Sequence, residues 1–247
     1  MNLTTKGNKE MKKSILAAML FASIGSAQAQ VTGNLTAATD YRFRGISQTQ
    51  NSQAFQGGID YTHASGFYAG NLNSNVSNKV YTDSNGLESN LYAGFKKEVV
   101  KGVSVDVGSY NYIYSRSSDR LGSNSNTNEV FGAVTTGPVT LKYSQSLGDY
   151  FGAVNSKNSK YVQADVKMPI MAKLTADAHI GRVLITNNKT NNFTDVNFGV
   201  TYNLAGFGVG AHYFTNRGLS ASTKLADTVA GEKLYKNAFL VSVSKSF

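Results

Sequence analysis

Polar and apolar residues alternate along most of the chain, and the clearest example is the segment that ends at Phe247. One face of this segment carries Phe239, Val241, Val243 and Phe247, and the other carries Leu240, Ser242, Ser244 and Ser246. Successive side chains of a strand point to opposite faces of a sheet. One apolar face and one mostly polar face are typical of a strand in a transmembrane barrel. Lys245 interrupts the apolar face, but its long side chain can reach water at the rim.

The same alternation predicts twelve strands, most of them long enough to cross a bilayer when tilted. They cover residues 31–46, 54–63, 67–76, 88–97, 103–114, 128–136, 139–146, 160–168, 173–182, 193–204, 207–216 and 237–247. The connections at 64–66, 136–138, 169–172 and 205–206 are short, and those at 77–87, 115–127, 147–159, 183–192 and 217–236 are long. The sequence therefore predicts an all-β fold, a transmembrane antiparallel up-and-down β-barrel of about 12 strands. Short periplasmic turns and long extracellular loops join the strands.

Two soluble folds are the alternatives to this barrel. A soluble sandwich also has many short strands, but the alternation of long and short connections and the charged polar face favour a membrane barrel. A soluble ligand-binding barrel would instead be found in the periplasmic fraction. After the N-terminal region no apolar run is long enough for a transmembrane helix. A membrane protein with this sequence therefore needs a closed barrel, in which strands satisfy each other's backbone polar groups.

The N-terminal region has the three parts of a secretory signal peptide. Lys12 and Lys13 form a basic region, residues 14–24 form a short apolar stretch, and Ala27-Gln28-Ala29 forms a cleavage site. We therefore expect a signal peptide at 1–29, cleaved after Ala29, and one barrel domain at 30–247. Translation can start at Met1 or at Met11. The expected location is the outer membrane of a Gram-negative bacterium.

The formal charge of the chain is +9, and most of the basic excess falls in the predicted loops. Removal of Lys6, Lys9, Lys12, Lys13 and Glu10 with the signal region leaves a net charge of +6. The basic loop residues are Lys79, Arg116, Arg120, Lys157, Lys160, Arg182, Lys189, Arg217, Lys224, Lys233 and Lys236. They predict contact with the phosphates of lipopolysaccharide, or an anion-attracting vestibule; an ordinary solvated surface is the alternative. Their scatter over separate extracellular loops argues against nucleic acid as a partner.

Two stretches near the N-terminus carry a family resemblance. They are D-Y-R-F-R-G-I-S-Q-T at 40–49 and A-F-Q-G-G-I-D-Y-T-H-A-S-G-F-Y-A-G at 54–70, followed by Ser74-Asn75-Val76. Both are similar to the TorF family of proteobacterial outer-membrane proteins, which are named as porins. The rest of the chain agrees with that family in length, in strand rhythm and in its V-S-V-S-K-S-F ending. The resemblance implies a barrel in the outer membrane and names no substrate. Outer-membrane barrels commonly end on an aromatic residue, so we expect the barrel-assembly machinery to recognise the strand that ends at Phe247.

The polar faces of the predicted strands indicate which residues line the lumen. The pore-lining residues that we predict are Asp40, Arg42, Arg44, Asp60, Lys96 and Asp165. The first three form a charged ladder along the predicted first strand, either as a constriction for a small charged solute or as cross-strand ion pairs that hold the register. Such buried charges need partners in both cases. The aromatic residues expected to face lipid are Tyr41, Phe55, Tyr61, Tyr202 and Tyr213.

The sequence gives little support for an enzyme, and we predict no catalytic residue, no cofactor and no metal site. His63-Ala64-Ser65 matches the spacing of a His-x-Ser lipase arrangement, but it lies in a predicted periplasmic turn, where tandem polar residues are common. His179 and His212 are expected to point into the lumen with no third ligand spaced for zinc. The chain has no cysteine, which excludes thiol nucleophiles and thiolate metal sites.

The predicted function is that of a porin-like channel for passive diffusion of small hydrophilic solutes or ions. Twelve-stranded barrels lie between eight-stranded ones, which side chains fill, and sixteen-stranded ones, which hold an aqueous channel. The alternative is a non-conducting structural or adhesive barrel whose basic extracellular loops bind lipopolysaccharide or another envelope component.

Overall fold

The computed structural model describes residues 29–82, 84–114, 125–226 and 228–247. Within them, twelve antiparallel strands close into a barrel, which confirms the predicted fold class and strand number. The barrel strands are β1 (Ala29–Ala38), β4 (Ala54–His63), β5 (Phe67–Asn75), β6 (Leu87–Val100), β7 (Val103–Tyr114), β8 (Thr127–Thr136), β9 (Val139–Ser146), β10 (Lys160–Met171), β11 (Leu174–Leu184), β12 (Phe193–Leu204), β13 (Phe207–Arg217) and β16 (Ala238–Ser246). Two short hairpins lie in the connections, β2 (Arg42–Phe43) with β3 (Ile46–Ser47) and β14 (Thr228–Val229) with β15 (Glu232–Lys233).

Neighbouring strands of the barrel are consecutive in the chain, and β1 closes the ring by pairing with both β4 and β16. At this seam Asn34 lies opposite Ser246 and Ala38 lies opposite Ser242. The seam continues beyond β16, where Gly33 and Phe247 exchange two backbone hydrogen bonds of 2.7 and 3.0 Å. Both chain ends of the described barrel therefore lie at the end of the short turns, which we call the short-turn end. We call the opposite end the long-loop end.

The outward face of the barrel is apolar, as the alternation predicts. Phe239 is 79% exposed and Phe55 is 68% exposed, and Val241, Val243 and Phe247 share this face. Lys245 lies among them at the short-turn end, where its ammonium group stacks on the ring of Phe207 at 4.8 Å. A lysine on a lipid-type face is thus accommodated by an aromatic neighbour close to the rim. Among the described residues, no helix is long and apolar enough to cross a membrane.

The first predicted strand is too long, and this is the main correction to the sequence analysis. It was expected over 31–46, but β1 ends at Ala38 and residues 39–53 fold back into the barrel. We call residues 39–53 the inward segment. The cause is a tight turn between β2 and β3, in which Arg44 (φ 49°) and Gly45 (φ 78°) both adopt the left-handed conformation. Positive φ at both central residues is the geometry of a two-residue hairpin turn, which a continuous strand does not contain.

The hydrophobic core of the molecule lies inside the barrel at its long-loop end. One cluster contains Val76, Tyr112 and Tyr114, with Tyr41 and Phe43 of the inward segment packed against it. A second cluster contains Tyr150, Tyr161, Val183 and Phe193. The prediction that Tyr41 faces lipid is therefore wrong: its hydroxyl donates to Glu88 Oε1 at 3.0 Å inside the barrel. The predicted signal peptide lies almost wholly outside the described residues and stays a prediction.

Candidate constriction in the barrel lumen

The inward segment is held across the lumen by Arg42. Its Nε donates to Asp40 Oδ2 at 2.6 Å, and its Nη1 donates to the carbonyl oxygens of Leu234 at 2.7 Å and Lys236 at 3.0 Å. Nη2 donates to Asn51 Oδ1 at 2.8 Å. The guanidinium group therefore joins both halves of the inward segment to the connection that follows β15. Such charge-assisted hydrogen bonds are among the stronger ones that proteins form.

Asp40 organises the base of the inward segment. It is buried and accepts hydrogen bonds from Ser47 Oγ at 2.6 Å and Thr49 Oγ1 at 2.9 Å, in addition to the one from Arg42. A buried carboxylate is stable only when its oxygens are paired in this way. Asp40 and Arg42 thus form a hydrogen-bonded ion pair that stabilises the fold of the inward segment. They do not form a ladder along a barrel strand, and that part of the prediction is wrong.

Arg44 stands at the tip of the inward segment and reaches the barrel wall. Its Nη2 donates to Glu129 Oε2 at 2.7 Å, its Nη1 donates to the Tyr150 hydroxyl at 2.9 Å, and its guanidinium carbon lies 4.1 Å from the centre of the Tyr161 ring. Burial raises the pKa of the Tyr150 phenol, so this group stays protonated. Arg44 is therefore buried with a counter-charge, a hydrogen-bond acceptor and an aromatic face.

The backbone of Arg44 adopts the left-handed conformation, which is uncommon for residues other than glycine. Asn, Asp and Gly are the usual residues at its position in this turn, because other residues are strained at positive φ. The next residue has no room for a side chain, since a Cβ at Gly45 would lie 2.3–2.8 Å from the amide atoms of Asn216. Strained residues of this kind concentrate at functional sites.

Two cavities meet at the tip of the inward segment. The inner cavity, about 240 Å³, is walled by residues of the barrel strands that include Tyr110, Lys142 and His179. The outer cavity, about 530 Å³, is walled by residues of the long connections that include Tyr81, Phe151 and Asn188. Phe43 and Arg44 line both cavities. This pair therefore separates the lumen from the loops, and we call it the constriction.

Comparison with known proteins places the chain in a family. The model of a bacterial protein family of unknown function, Gcw_chp, matches residues 22–247. The chain belongs to this family. In structure it is similar to the NanC porin, at a TM-score of 0.55 and 11% sequence identity over 86% of this chain and 98% of that chain. It is also similar to the KdgM porin solved with disordered oligogalacturonate, at a TM-score of 0.53 and 9% identity over 89% and 99%. No curated protein sequence matches the chain.

At such low identity the similarity to porins concerns the fold alone, so the site of this family member has to be argued from its own residues. Of the predicted pore-lining residues, Asp60, Lys96 and Asp165 lie on barrel strands. Asp60 accepts from Asn34 Nδ2 at 3.0 Å and from the Tyr92 hydroxyl. Lys96 is exposed and lies directly opposite Asp106 on the neighbouring strand.

Asp165 belongs to a hydrogen-bonded chain centred on His179. His179 lies between Asp165 Oδ1, at 2.6 Å from Nδ1, and Asp195 Oδ2, at 2.9 Å from Nε2. The Tyr161 hydroxyl donates to Asp195 Oδ1 at 2.9 Å. Because Arg44 stacks on Tyr161, this chain of contacts connects the constriction to the strands below it. A second pair, His212 and Asp177, meets at 3.1 Å. Both histidines lie in the lumen, as predicted.

Lys142 differs from the other charged residues of the inner cavity. Its ammonium group lies 3.8 Å from the centre of the Phe131 ring, and within the described residues it forms no ion pair. Arg42, Arg44 and His179 by contrast all have carboxylate partners. Lys142 therefore offers a positive charge to whatever enters the cavity.

Two carboxylates of the site, Glu129 and Asp195, are not among the pore-lining residues that the sequence predicts. Glu129 is 3% exposed and Asp195 is 2% exposed. Each occupies a polar position near the start of its strand, β8 and β12, and alternation alone assigns both to the lumen. The sequence gives no local signal that Glu129 pairs with Arg44, 85 positions earlier.

The structure places the His63–Ser65 pair in an exposed turn between two barrel strands. His63 Nδ1 and Ser65 Oγ are 2.9 Å apart, and no carboxylate of the described residues forms a hydrogen bond or ion pair with the His63 ring. The described residues contain no group of three or more His, Asp or Glu side chains that could hold a metal ion.

Proposed function

We propose that this protein is an outer-membrane channel of the porin type, which lets small hydrophilic solutes or ions diffuse through a barrel narrowed by its inward segment. The observation that carries the proposal is the arrangement at Phe43 and Arg44, with a polar inner cavity on one side and a cavity open to the loops on the other. A channel needs such water-accessible space on both sides of a narrow passage.

The distribution of charge in the lumen supports the same function. Asp165 keeps 36% of its side chain exposed, and Lys96 is exposed near the short-turn end. Charged groups with this much access to water line an aqueous space, because a filled barrel would bury them at a high cost. The lumen is therefore hydrated below the constriction, whereas the long-loop end is packed with tyrosines.

The proposal includes location and family. An apolar outward face and strands of membrane-spanning length support the outer membrane of a Gram-negative bacterium, reached through cleavage of residues 1–29 as a signal peptide. The resemblance at 40–49 and 54–70 supports membership of the TorF porins. Passive diffusion of solutes accounts for the arrangement of residues at the constriction, so we propose no enzymatic activity.

Planar-bilayer recording of the refolded protein tests the proposal. We expect discrete conductance steps, and a reversal potential in a salt gradient that shifts toward cation selectivity in Lys142→Gln, because this substitution removes the unpaired positive charge of the inner cavity. Lys97→Gln is the matched control: it removes the same charge from the outward face of β6, one residue after the inward-facing Lys96.

Two outcomes would contradict the proposal. An absence of conductance from a correctly folded barrel would favour a closed structural or adhesive barrel. Equal shifts in Lys142→Gln and Lys97→Gln would show that ions do not pass the inner cavity.

A further inference from the structure

Positive charge on the outward face is concentrated at the long-loop end of three strands. Lys160 on β10, Arg182 on β11 and Arg217 on β13 are all exposed there. Register places them on one face: Arg182 lies between Val162 and Thr194 of the adjacent strands, and Thr194 lies opposite Arg217. We call Lys160, Arg182 and Arg217 the basic belt. It lies directly above an apolar surface that includes Val162, Ile180 and Phe198, which are 47–54% exposed.

The two arginines of the basic belt lie on strands separated only by β12, and the described residues give neither of them a counter-charge. Arg182 Nη1 donates to Thr194 Oγ1 at 2.9 Å and lies 3.5 Å from the position that a Cβ at Gly218 would occupy, next to Arg217. Neither arginine forms an ion pair within the described residues. Two like charges on one face repel each other, and an anion bound between them would offset this repulsion.

A cleft beside the basic belt extends the same charge. Its volume is about 410 Å³, and it is lined by Arg217, Lys224 and Lys236 together with uncharged residues such as Tyr235 and Asn237. Among the described residues, no carboxylate lines this cleft. Glu232 pairs with one lining residue, Lys236, at 3.3 Å on the exposed surface. The cleft is therefore suited to a phosphate-sized anion that carries more than one negative charge.

The opposite side of the barrel lacks this feature. At the long-loop end of β4, β6 and β8, the outward residues are Phe55, Leu87 and Val130. At the long-loop end, positive charge on the outward face thus lies on the side of β10 to β13, whereas β4, β6 and β8 carry apolar residues there.

We propose that the basic belt and its cleft bind the phosphate groups of lipopolysaccharide, with the acyl chains lying against the apolar surface below. This inference rests on the outer-membrane location in the proposed function. An outward-facing site at the membrane boundary meets lipid headgroups, and the apolar surface beneath it favours an amphiphile over a free anion. Arginines suit phosphate because the guanidinium group can donate two parallel hydrogen bonds.

The test compares the binding of lipopolysaccharide to the purified folded protein in detergent, for the wild type and for Arg182→Gln/Arg217→Gln. Each cation near an anionic surface contributes about fivefold to affinity, so we expect the double variant to bind about 25-fold more weakly. The control is Lys79→Gln/Lys157→Gln, which makes the same charge change on exposed loops away from the cleft. Here we expect less than a twofold change. Enzymatically dephosphorylated lipopolysaccharide should bind the wild type as weakly as the double variant binds the native lipid.

Three results would overturn the inference. Equal loss in both double variants would indicate attraction by net charge alone. Undiminished binding of the dephosphorylated lipid would exclude the phosphates as the recognised group. Displacement of the lipid by millimolar inorganic phosphate would indicate a free-anion site. Binding is measured without any bilayer current, so a failure of the channel proposal leaves this result interpretable. We expect the double variant to keep wild-type conductance in phospholipid bilayers.

Discussion

The ion pair between Arg44 and Glu129 is the residue-scale feature on which the constriction depends. The two groups meet at 2.7 Å with side-chain exposures of 5% and 4%. Breaking one partner of a buried pair leaves an uncompensated charge, which typically costs about 3–5 kcal/mol. We therefore expect Glu129→Gln to lower the urea concentration at the midpoint of unfolding. Unfolding is measured by the change in electrophoretic mobility between the folded and the unfolded barrel.

The double variant Arg44→Asn/Glu129→Gln distinguishes the effect of the ion pair on stability from the effect of the strained backbone at residue 44. It removes both charges and places Asn at a position with positive φ, where Asn is favoured. We expect its midpoint to lie clearly above that of Glu129→Gln alone. A midpoint equal to or below that of the single variant would show that the guanidinium group stabilises the barrel through contacts other than Glu129.

At the scale of elements, the proposed channel is limited by the inward segment. Arg42 and Ser47 are directly opposite in the β2–β3 hairpin, so residues 43–46 can be replaced by Asn-Gly, which closes a two-residue turn between them. This change removes Phe43 and Arg44, and with Gly45 one hydrogen bond of Arg42, but it keeps the bond between Asp40 and Arg42 and the bonds of Arg42 to the connection after β15. We expect a severalfold larger single-channel conductance, because the inner and outer cavities would then merge.

The hairpin of β14 and β15 provides the control for this change. Its turn residues, Ala230 (φ 49°) and Gly231 (φ 83°), have the same backbone geometry as Arg44 and Gly45. Ala230→Asn therefore creates an Asn-Gly turn outside the constriction and should leave the conductance unchanged. Unaltered conductance in the shortened variant would mean that the passage is limited elsewhere.

The inward segment is the part of the fold that the sequence pattern did not predict. Eleven barrel strands follow from alternation, because a buried polar face and an apolar lipid face repeat with the period of a strand. The segment 39–46 alternates in the same way, with Asp40, Arg42 and Arg44 on one side, although it does not continue β1. Only Gly45 gave a local sign of the turn. Glu129, the ion-pair partner of Arg44, lies 85 positions away, and Leu234, whose carbonyl oxygen accepts from Arg42, lies 192 positions away. No local pattern encodes such long-range pairings.

For the whole molecule, closure of the barrel depends on the seam between β1 and β16. Gly33 pairs with Phe247 there, and a Cβ at Gly33 would lie 2.5 Å from Cε2 of the Phe247 ring. Gly33→Val therefore forces that ring away and disturbs the closing contact. Overpacking of this kind costs about 1–3 kcal/mol. We expect a lower urea midpoint and a lower yield of folded barrel.

Gly132→Val tests whether this effect belongs to the seam. Gly132 also faces outward, in the middle of β8, and a Cβ there has no atom within 4 Å. Valine fits strands better than glycine, so we expect an unchanged or slightly higher midpoint for this variant. If both variants lose stability equally, the loss comes from valine on the lipid face. The seam then contributes no more to stability than the other strand pairs do. A loss confined to Gly33→Val would instead locate the weakest part of the ring where the two ends of the barrel meet, since every other strand pair is joined through a chain connection.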